Sequence, residues 1–282
     1  MKILAMGDFH GKFPGKLKKR ILKEDPDLIL CTGDLGGSDE LLKYIFKYFH
    51  QKWWNIVGEK KANKLVLEDY DSGKRTIGEL NKLGRKLNKK VFVINGNWDF
   101  VTGSKWERTA GLELDRYPTL MKRTKNVQPI NRSFKKINGL NILFFGGSVT
   151  AKAYTQKGVL SDEERAKYIK KNKKQKEQLN RYNKNEVDIL FAHYPPAGYF
   201  DKVKYKGKNP MNGKLVGFEG YTEFIRKKQP ALFVCGHMHE YQGVKNFGKT
   251  VIVATGSAKD GKAAIIDFDE VMKKVKSVKF LK

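Results

Sequence analysis

Short apolar runs alternate with longer amphipathic stretches along most of the 282 residues. The apolar runs are rich in β-branched residues and predict buried strands; they cover residues 3–6, 28–32, 91–94, 142–145, 187–192, 231–235, 251–254 and 263–268. The amphipathic stretches predict helices over residues 14–23, 39–57, 76–88, 161–181 and 219–228. Strands that alternate with helices indicate an α/β fold, with mainly parallel pairing in the first half of the chain.

Local signals refine this pattern at three places. Ser161, followed three residues later by Glu164, forms a capping box that opens the fourth predicted helix. Asn138-Gly139 suits a type I′ turn, which predicts a β-hairpin. The last predicted strands lie close together along the chain, with Asn246-Phe247-Gly248 between two of them, and we expect antiparallel pairing there.

Three segments interrupt the alternation, at about residues 100–135, 150–185 and 197–218. The first has little periodicity and contains Trp106, Arg108 and Tyr117, and the last is rich in Gly, Lys and Tyr. No internal repeat or low-complexity linker separates these segments, so we expect one domain over residues 1–282 that carries them as insertions. Long loops beside a sheet often hold substrate contacts.

Charge is the dominant feature of the composition, with 57 Lys and Arg against 30 Asp and Glu and a net charge of +27. Such a charge favours nucleic acid, nucleotides or other anionic substrates, although a high Lys content is also typical of heat-adapted proteins. The Lys-rich stretch 167–176 is interpreted as a solvated helix face.

No apolar run approaches the roughly 18 residues of a membrane span, and no signal peptide is evident, so a cytoplasmic protein is expected. Cys31 and Cys235 lie in apolar runs and are expected to be free core thiols.

Polar motifs follow five of the predicted strands. They contain Asp8 and His10, Asp34, Asn97 and Asp99, His193, and finally His237 and His239. Because sites in open α/β sheets form at the carboxyl ends of strands, these side chains should converge. Carboxylates and imidazoles together suit divalent ions such as zinc, manganese or iron. The glycines before four of these ligands, at positions 7, 33, 96 and 236, should let the backbone turn sharply and approach the site closely. His50 lies in a predicted helix and reads as an ordinary histidine.

The ordered set of motifs resembles the calcineurin-like metallophosphoesterase superfamily, whose pattern is DxH, GD, GNHD, H and GHxH. The resemblance covers residues 8–239 and implies a four-layer αββα sandwich in which helices flank two packed sheets. It also implies a dinuclear site with two divalent metal ions, which could be manganese, iron, nickel or zinc. The ligands implied are Asp8, His10 and His239 for the first ion, Asn97, His193 and His237 for the second, and Asp34 bridging both.

The reaction that this resemblance implies is hydrolysis of a phosphoester. A metal-bridging hydroxide would attack phosphorus in line with the leaving oxygen, while the metals neutralise the phosphoryl oxygens. Asp34 would act through both metals. The Asn97 amide would bind one metal through its oxygen and direct its NH₂ group at the phosphate.

One motif departs from the family pattern, because Trp98 stands where the family has the histidine thought to protonate the leaving group. An indole cannot act as a general acid near pH 7, and Asp99 is expected to lose the partner it would orient. This departure, with the basic charge, favours a phosphodiesterase acting on nucleotide-like or nucleic-acid substrates. Trp98 itself either stacks on a base at the edge of the site or fills space in the core.

Other functions stay open beside this one. They are a phosphomonoesterase acting on a small anionic metabolite, a nuclease of the double-strand-break repair type, and a non-catalytic nucleic-acid-binding protein on the same fold. The second motif, Gly33-Asp34-Leu35-Gly36-Gly37-Ser38, lacks the longer GDxxDRG string of the protein serine/threonine phosphatases. This difference argues against that branch of the superfamily.

Overall fold

A computed structural model describes residues 1–48, 51–101, 112–205 and 209–282 of the chain. Its strands are β1 (Lys2–Met6), β2 (Leu28–Cys31), β3 (Val91–Val93), β4 (Val127–Pro129), β5 (Ser133–Ile137), β6 (Leu140–Phe145), β7 (Ile189–Ala192), β8 (Leu232–Cys235), β9 (Gln242–Phe247), β10 (Thr250–Thr255), β11 (Ala263–Asp269) and β12 (Lys274–Leu281). Its α-helices are α1 (Gly15–Glu24), α2 (Asp39–Lys47), α3 (Trp53–Val57), α4 (Glu59–Leu87), α5 (Tyr117–Lys122), α6 (Asp162–Asn180) and α7 (Glu219–Lys228). Two 3₁₀-helices, Lys152–Thr155 and Ala258–Asp260, complete the elements.

The strands form two six-stranded sheets, in the orders β12-β11-β1-β2-β3-β4 and β5-β6-β7-β8-β10-β9. In each sheet four neighbouring strands are parallel, and antiparallel strands complete the sheet. Parallel pairing in the first half is therefore confirmed. The expected type I′ turn is also confirmed, because Asn138 and Gly139 both have positive φ, at 49° and 80°.

The expectation of antiparallel pairing among the last strands is wrong for one pair. β8 and β10 pair in parallel, because the intervening strand β9 reverses the chain and pairs antiparallel with β10. β9 was not among the predicted strands, and neither were β4, β5 and β12. All four lie at the edges of the sheets, where one face contacts solvent and the apolar signal is weak.

The two sheets pack face to face and helices cover their outer faces. Along β1, Ile3 and Ala5 lie in the core between the sheets, whereas Leu4 and Met6 belong to the cluster that includes residues of α1 and α4. The second sheet repeats this alternation, since Leu190 of β7 packs in the cluster that contains residues of α7. Both faces of the central strands are buried, so their sequences read as continuous apolar runs. The four-layer αββα sandwich is confirmed.

The helices of the first sheet differ from prediction. The helix expected over 39–57 is two helices, α2 and α3, and the helix expected from residue 76 begins at Glu59 as α4. The middle turns of α4 bury Asp69, Ser72 and Thr76 as well as apolar residues, which weakens the amphipathic pattern. Ser72 Oγ accepts the backbone N–H of Gly37 at 2.9 Å, so this polar face holds the loop that follows β2.

Other local expectations have mixed outcomes. The Ser161–Glu164 capping box is present and opens α6, and Cys31 and Cys235 are buried free thiols. The irregular segment 100–135 contains α5 and β4, while Trp106 and Arg108 lie outside the described residues. None of the helices that the structure describes is both long and apolar enough to cross a membrane.

Candidate metal centre

The polar motifs converge from the carboxyl ends of β1, β2 and β3 in one sheet and β7 and β8 in the other. They form two adjoining groups of side chains, one of Asp8, His10 and His239 and one of Asp34, His193 and His237. Within each group one ligand atom from every residue lies within 4.8 Å of the others. The first and last of the chain segments that meet here are separated by more than 200 residues, and the packing of the two sheets brings them together.

The Asp34 carboxylate connects the two groups. Its Oδ2 lies 3.4 Å from Nε2 of His193 and 3.8 Å from Nε2 of His10. Its Oδ1 accepts the backbone N–H of Trp98 at 2.8 Å. One carboxylate oxygen thus faces both groups while the other is held by the loop after β3.

Around His193, several hydrogen-bond acceptors face one another. Nδ1 of His193 lies 2.8 Å from the Thr32 carbonyl oxygen and donates to it. Its Nε2 then has a lone pair when the ring is neutral, and it faces Oδ1 of Asn97 at 2.8 Å as well as the Asp34 carboxylate. Acceptors that converge in this way need a cation between them. Burial opposes the charge on His193, yet Asp34 raises its pKa to about 9.

Burial favours the neutral form of two of the candidate histidine ligands, His10 and His237. Burial lowers the pKa of His10 to about 4 and that of His237 to about 3. Nε2 of His10 and Nε2 of His239 lie 3.0 Å apart. Both oxygens of Asp8 accept the backbone N–H of His237 at 3.0 Å, so this carboxylate of the first group also fixes a residue of the second.

The backbone at the site is strained at the ligands themselves. Asp8, His10, Asp34 and His237 have positive φ values of 57°, 43°, 53° and 66°, in the left-handed region that non-glycine residues rarely adopt. Of the four preceding glycines, Gly33 alone has a positive φ, so the expected sharp turn at glycine is correct there only.

The glycines instead supply space for close approach. A Cβ on Gly96 would lie 2.0 Å from Oδ1 of Asp34, and one on Gly236 would lie 2.3 Å from Oδ2 of Asp8. Both distances are far below van der Waals contact. Each glycine therefore lets a ligand carboxylate sit directly against the neighbouring loop.

Asp99 has no histidine to orient, because Trp98 stands at that position, but its carboxylate has other partners. Its carboxylate accepts three backbone N–H groups, from Gly96 at 2.7 Å, Leu35 at 2.8 Å and Asp34 at 3.0 Å. These bonds join the loops after β2 and β3. Asp99 thus positions the Asp34 loop and needs no histidine to do so.

Trp98 is half-buried and packs against the hydrophobic cluster that includes residues of α4. The centroid of its ring is 6.3 Å from that of the His10 ring, and the two rings meet edge to face. Its indole Nε1 donates to Oδ1 of Asp69 at 3.0 Å. Asp69 lies on α4, is 2% exposed, and was missed in the sequence because its helix was not predicted to reach it. Burial raises the pKa of Asp69 to about 7, against the opposing hydrogen bond from Trp98.

Aromatic packing also orients one histidine. The Tyr194 ring stacks on that of His237, with centroids 3.8 Å apart and planes at 25°. Tyr194 directly follows His193 in the fourth motif. The same motif therefore supplies one candidate ligand and the ring that packs against another. His50, the fifth histidine of the chain, lies outside the described residues.

Comparisons with known proteins identify the family and the fold. A sequence model of the family described as "Metallophosphoesterase, calcineurin superfamily" matches residues 1–280. The UPF0046 protein K07C11.7 of Caenorhabditis elegans is 27% identical over 77 residues, which are 27% of this chain and 24% of that protein. The match thus spans about a quarter of that relative's length.

Solved structures show the same fold. The crystal structure of TT1561 from Thermus thermophilus aligns over 99% of this chain and 97% of that chain, with 15% identity and a TM-score of 0.51. Another crystal structure aligns over the same shares of the two chains with 19% identity and a TM-score of 0.61. At these identities the likeness concerns the fold.

Proposed function

This chain belongs to the calcineurin superfamily of metallophosphoesterases, and on that premise we propose that it is a hydrolase of phosphodiesters in nucleotide-like or nucleic-acid substrates that uses two divalent metal ions. The observation that carries the proposal is the Asp34 carboxylate, whose Oδ2 faces His10 of one group and His193 of the other. A carboxylate shared by two groups is what a pair of neighbouring cations requires.

The residues that would hold the metals fit the chemistry of divalent ions. Asp8, His10 and His239 would hold the first, His193, His237 and Asn97 the second, with Asp34 between them. Imidazole and carboxylate ligands suit manganese, iron, nickel or zinc. Bound there, such a pair would lower the pKa of water and neutralise charge on the phosphoryl oxygens.

The side chains around these ligands fix their geometry before substrate arrives. Thr32 sets the tautomer of His193 by accepting from Nδ1, as the hydrogen-bond partners of metal-binding histidines commonly do. Asn97 is exposed, so its amide NH₂ is free to contact a phosphate while its Oδ1 stays near His193. Two carboxylates against two divalent ions would leave the site positive, which suits an anionic ester.

The loop that holds Trp98 supports the proposed preference for a diester. The indole N–H is engaged by Asp69 and the Asp99 carboxylate is engaged by three backbone N–H groups. Neither residue therefore offers a proton to a departing oxygen. The proposal therefore requires a nucleotide-like diester whose leaving group departs with little protonation.

The proposal is tested with a pair of aryl substrates under added Mn²⁺ or Ni²⁺. We expect bis(p-nitrophenyl) phosphate to be hydrolysed with a higher kcat/KM than p-nitrophenyl phosphate. A preference for the monoester would contradict the diesterase assignment and favour a phosphomonoesterase. Absence of bound metal by elemental analysis, with no activity after metal addition, would favour a non-catalytic binding protein.

A further inference from the structure

Three lysines lie beside the first group of candidate ligands, and each is close to a different member of it, along the chain or through a hydrogen bond. Lys12 follows His10 by two residues. The backbone N–H of Lys259 donates to the Asp8 carbonyl oxygen at 3.3 Å, and Nζ of Lys262 donates to the His239 carbonyl oxygen at 3.3 Å. These lysines come from the loop after β1 and from the segment after β10, and the fold brings the side chains of Lys12 and Lys259 together on Asp39.

Only one acidic side chain balances these charges in the described parts of the chain. Oδ1 of Asp39 accepts from Nζ of Lys259 at 2.6 Å, and Oδ2 accepts from Nζ of Lys12 at 3.0 Å. Lys262 donates to a neutral carbonyl and forms no ion pair with a described residue. Two ammonium groups therefore share one carboxylate, Lys262 adds a third positive charge beside His239, and this edge of the site keeps a positive charge.

A positive edge is unfavourable for a site that binds cations alone. The backbone N–H of Lys259 contacts the Asp8 carbonyl oxygen, so this lysine lies beside a candidate ligand. Ammonium groups beside divalent ions weaken the binding of those ions by like-charge repulsion. An anion that bridges the lysines and the metals removes this repulsion.

We propose that Lys12, Lys259 and Lys262 form a subsite for a second phosphate group carried by the substrate, next to the phosphoester that is hydrolysed. This assignment rests on the proposed function and narrows its substrate class to esters with at least two phosphates. Asp39 holds Lys12 and Lys259 in place while the subsite is free. A phosphate competes for the same ammonium groups and offers three oxygens where Asp39 offers two.

The test compares kcat/KM for three chromogenic esters in wild type and variants. The first is thymidine 5′-(p-nitrophenyl phosphate), the second carries an additional 3′-phosphate, and the third carries its second phosphate in a 5′-diphosphate chain. We expect wild type to prefer one of the two esters that carry a second phosphate, and the one preferred identifies the position of that phosphate. In Lys12→Ala and Lys259→Ala that preference should fall about tenfold each, the usual effect of losing one charged hydrogen bond.

Two further variants separate charge recognition from a structural role. Lys259→Arg keeps the charge and should keep most of the preference, while Asp39→Asn releases the ammonium groups and should increase it. Lys167→Ala is the matched control, because Lys167 is an exposed lysine paired with Glu163 on α6, and it should leave the preference unchanged. Equal preference in wild type and in both alanine variants would overturn the subsite.

Calorimetry with inorganic pyrophosphate distinguishes failure of the subsite from failure of the proposed function. If wild type hydrolyses none of the esters with any metal, the proposed function fails and the titration decides the subsite alone. Weaker pyrophosphate binding in Lys12→Ala and Lys259→Ala, by about tenfold, with unchanged binding in Lys167→Ala, supports it. Identical binding in all these proteins rejects it.

Discussion

The indole Nε1 of Trp98 donates a hydrogen bond to Oδ1 of the buried Asp69 at 3.0 Å. The bond joins the loop after β3 to helix α4. The backbone N–H of Trp98 donates to Oδ1 of Asp34 at 2.8 Å. One residue thus anchors the candidate bridging carboxylate through its backbone and the helix through its side chain.

Replacing Trp98 by Phe should destabilise the protein, because Asp69 would stay buried without its donor. We expect a loss of about 1–3 kcal/mol in the free energy of unfolding, as for other buried polar groups that lose a partner. Urea denaturation at neutral pH measures it. The Asp69→Asn variant serves as the control, since its side-chain oxygen still accepts from Nε1, and its loss should be smaller than that of Trp98→Phe. Equal stability of Trp98→Phe and wild type would show that the bond contributes nothing.

The Asp69 carboxyl should also make stability depend on pH. Burial raises its pKa from the ordinary 3.8 to about 7 in the folded protein, so between these values the folded state binds more protons than the unfolded state. The stabilisation from this group is therefore complete below about pH 4 and is lost as the pH rises to 7. The loss amounts to about 4 kcal/mol at 1.36 kcal/mol per pKa unit.

Comparison with Asp69→Asn isolates this effect, because the amide does not titrate. The free energy of unfolding of wild type minus that of the variant should decrease between pH 4 and pH 7. Chemical denaturation of both proteins across this range gives the difference directly. A difference that is constant with pH would mean that Asp69 titrates near its ordinary value.

Replacing Asp34 by Asn should abolish the activity and reduce metal content. The amide keeps the size of the side chain but removes the negative charge that both groups share. We expect fewer than two ions per chain by elemental analysis and a fall in kcat of about a hundredfold or more, within the range lost when metal catalysis is impaired. Full metal content with wild-type kcat would remove Asp34 from the bridging position.

Chelation provides the complementary measurement on the unmodified chain. Treatment with a chelator should remove activity, and added Mn²⁺ or Ni²⁺ should restore it. Unchanged activity in the chelated, metal-free protein would contradict the dinuclear proposal.

Replacing Gly96 by Ala should disturb the site without changing any functional group. The new methyl would lie 2.0 Å from Oδ1 of Asp34, so the carboxylate or the loop after β3 must move. We expect a loss of at least about tenfold in kcat/KM, typical of small displacements in a preorganised site. Gly78→Ala is the matched control: its methyl meets nothing within 4 Å, and in the interior of α4 it should stabilise the protein by about 1 kcal/mol. Equal activity of the two variants would mean that the loop tolerates the shift.

The sequence by itself determined the central strands and the candidate ligands. Buried parallel strands need continuous apolar runs, and the polar residues that follow them must lie at one edge of the sheets. Asp8, His10, His193 and His237 were therefore identified from local pattern and order, and they lie together in the structure. The α/β architecture followed from the same alternation.

Only the tertiary structure decided how the site is supported. The polar residues on the buried face of α4, among them Asp69 and Ser72, contradict the amphipathic pattern from which helices are recognised, so the start of this helix was missed. The three N–H donors of Asp99 come from two loops and leave no trace in the motif that contains it. The meeting of Lys12 and Lys259 on Asp39 joins residues up to 247 positions apart. Local patterns record which residues are buried along one element, whereas these contacts depend on how separate elements pack against each other.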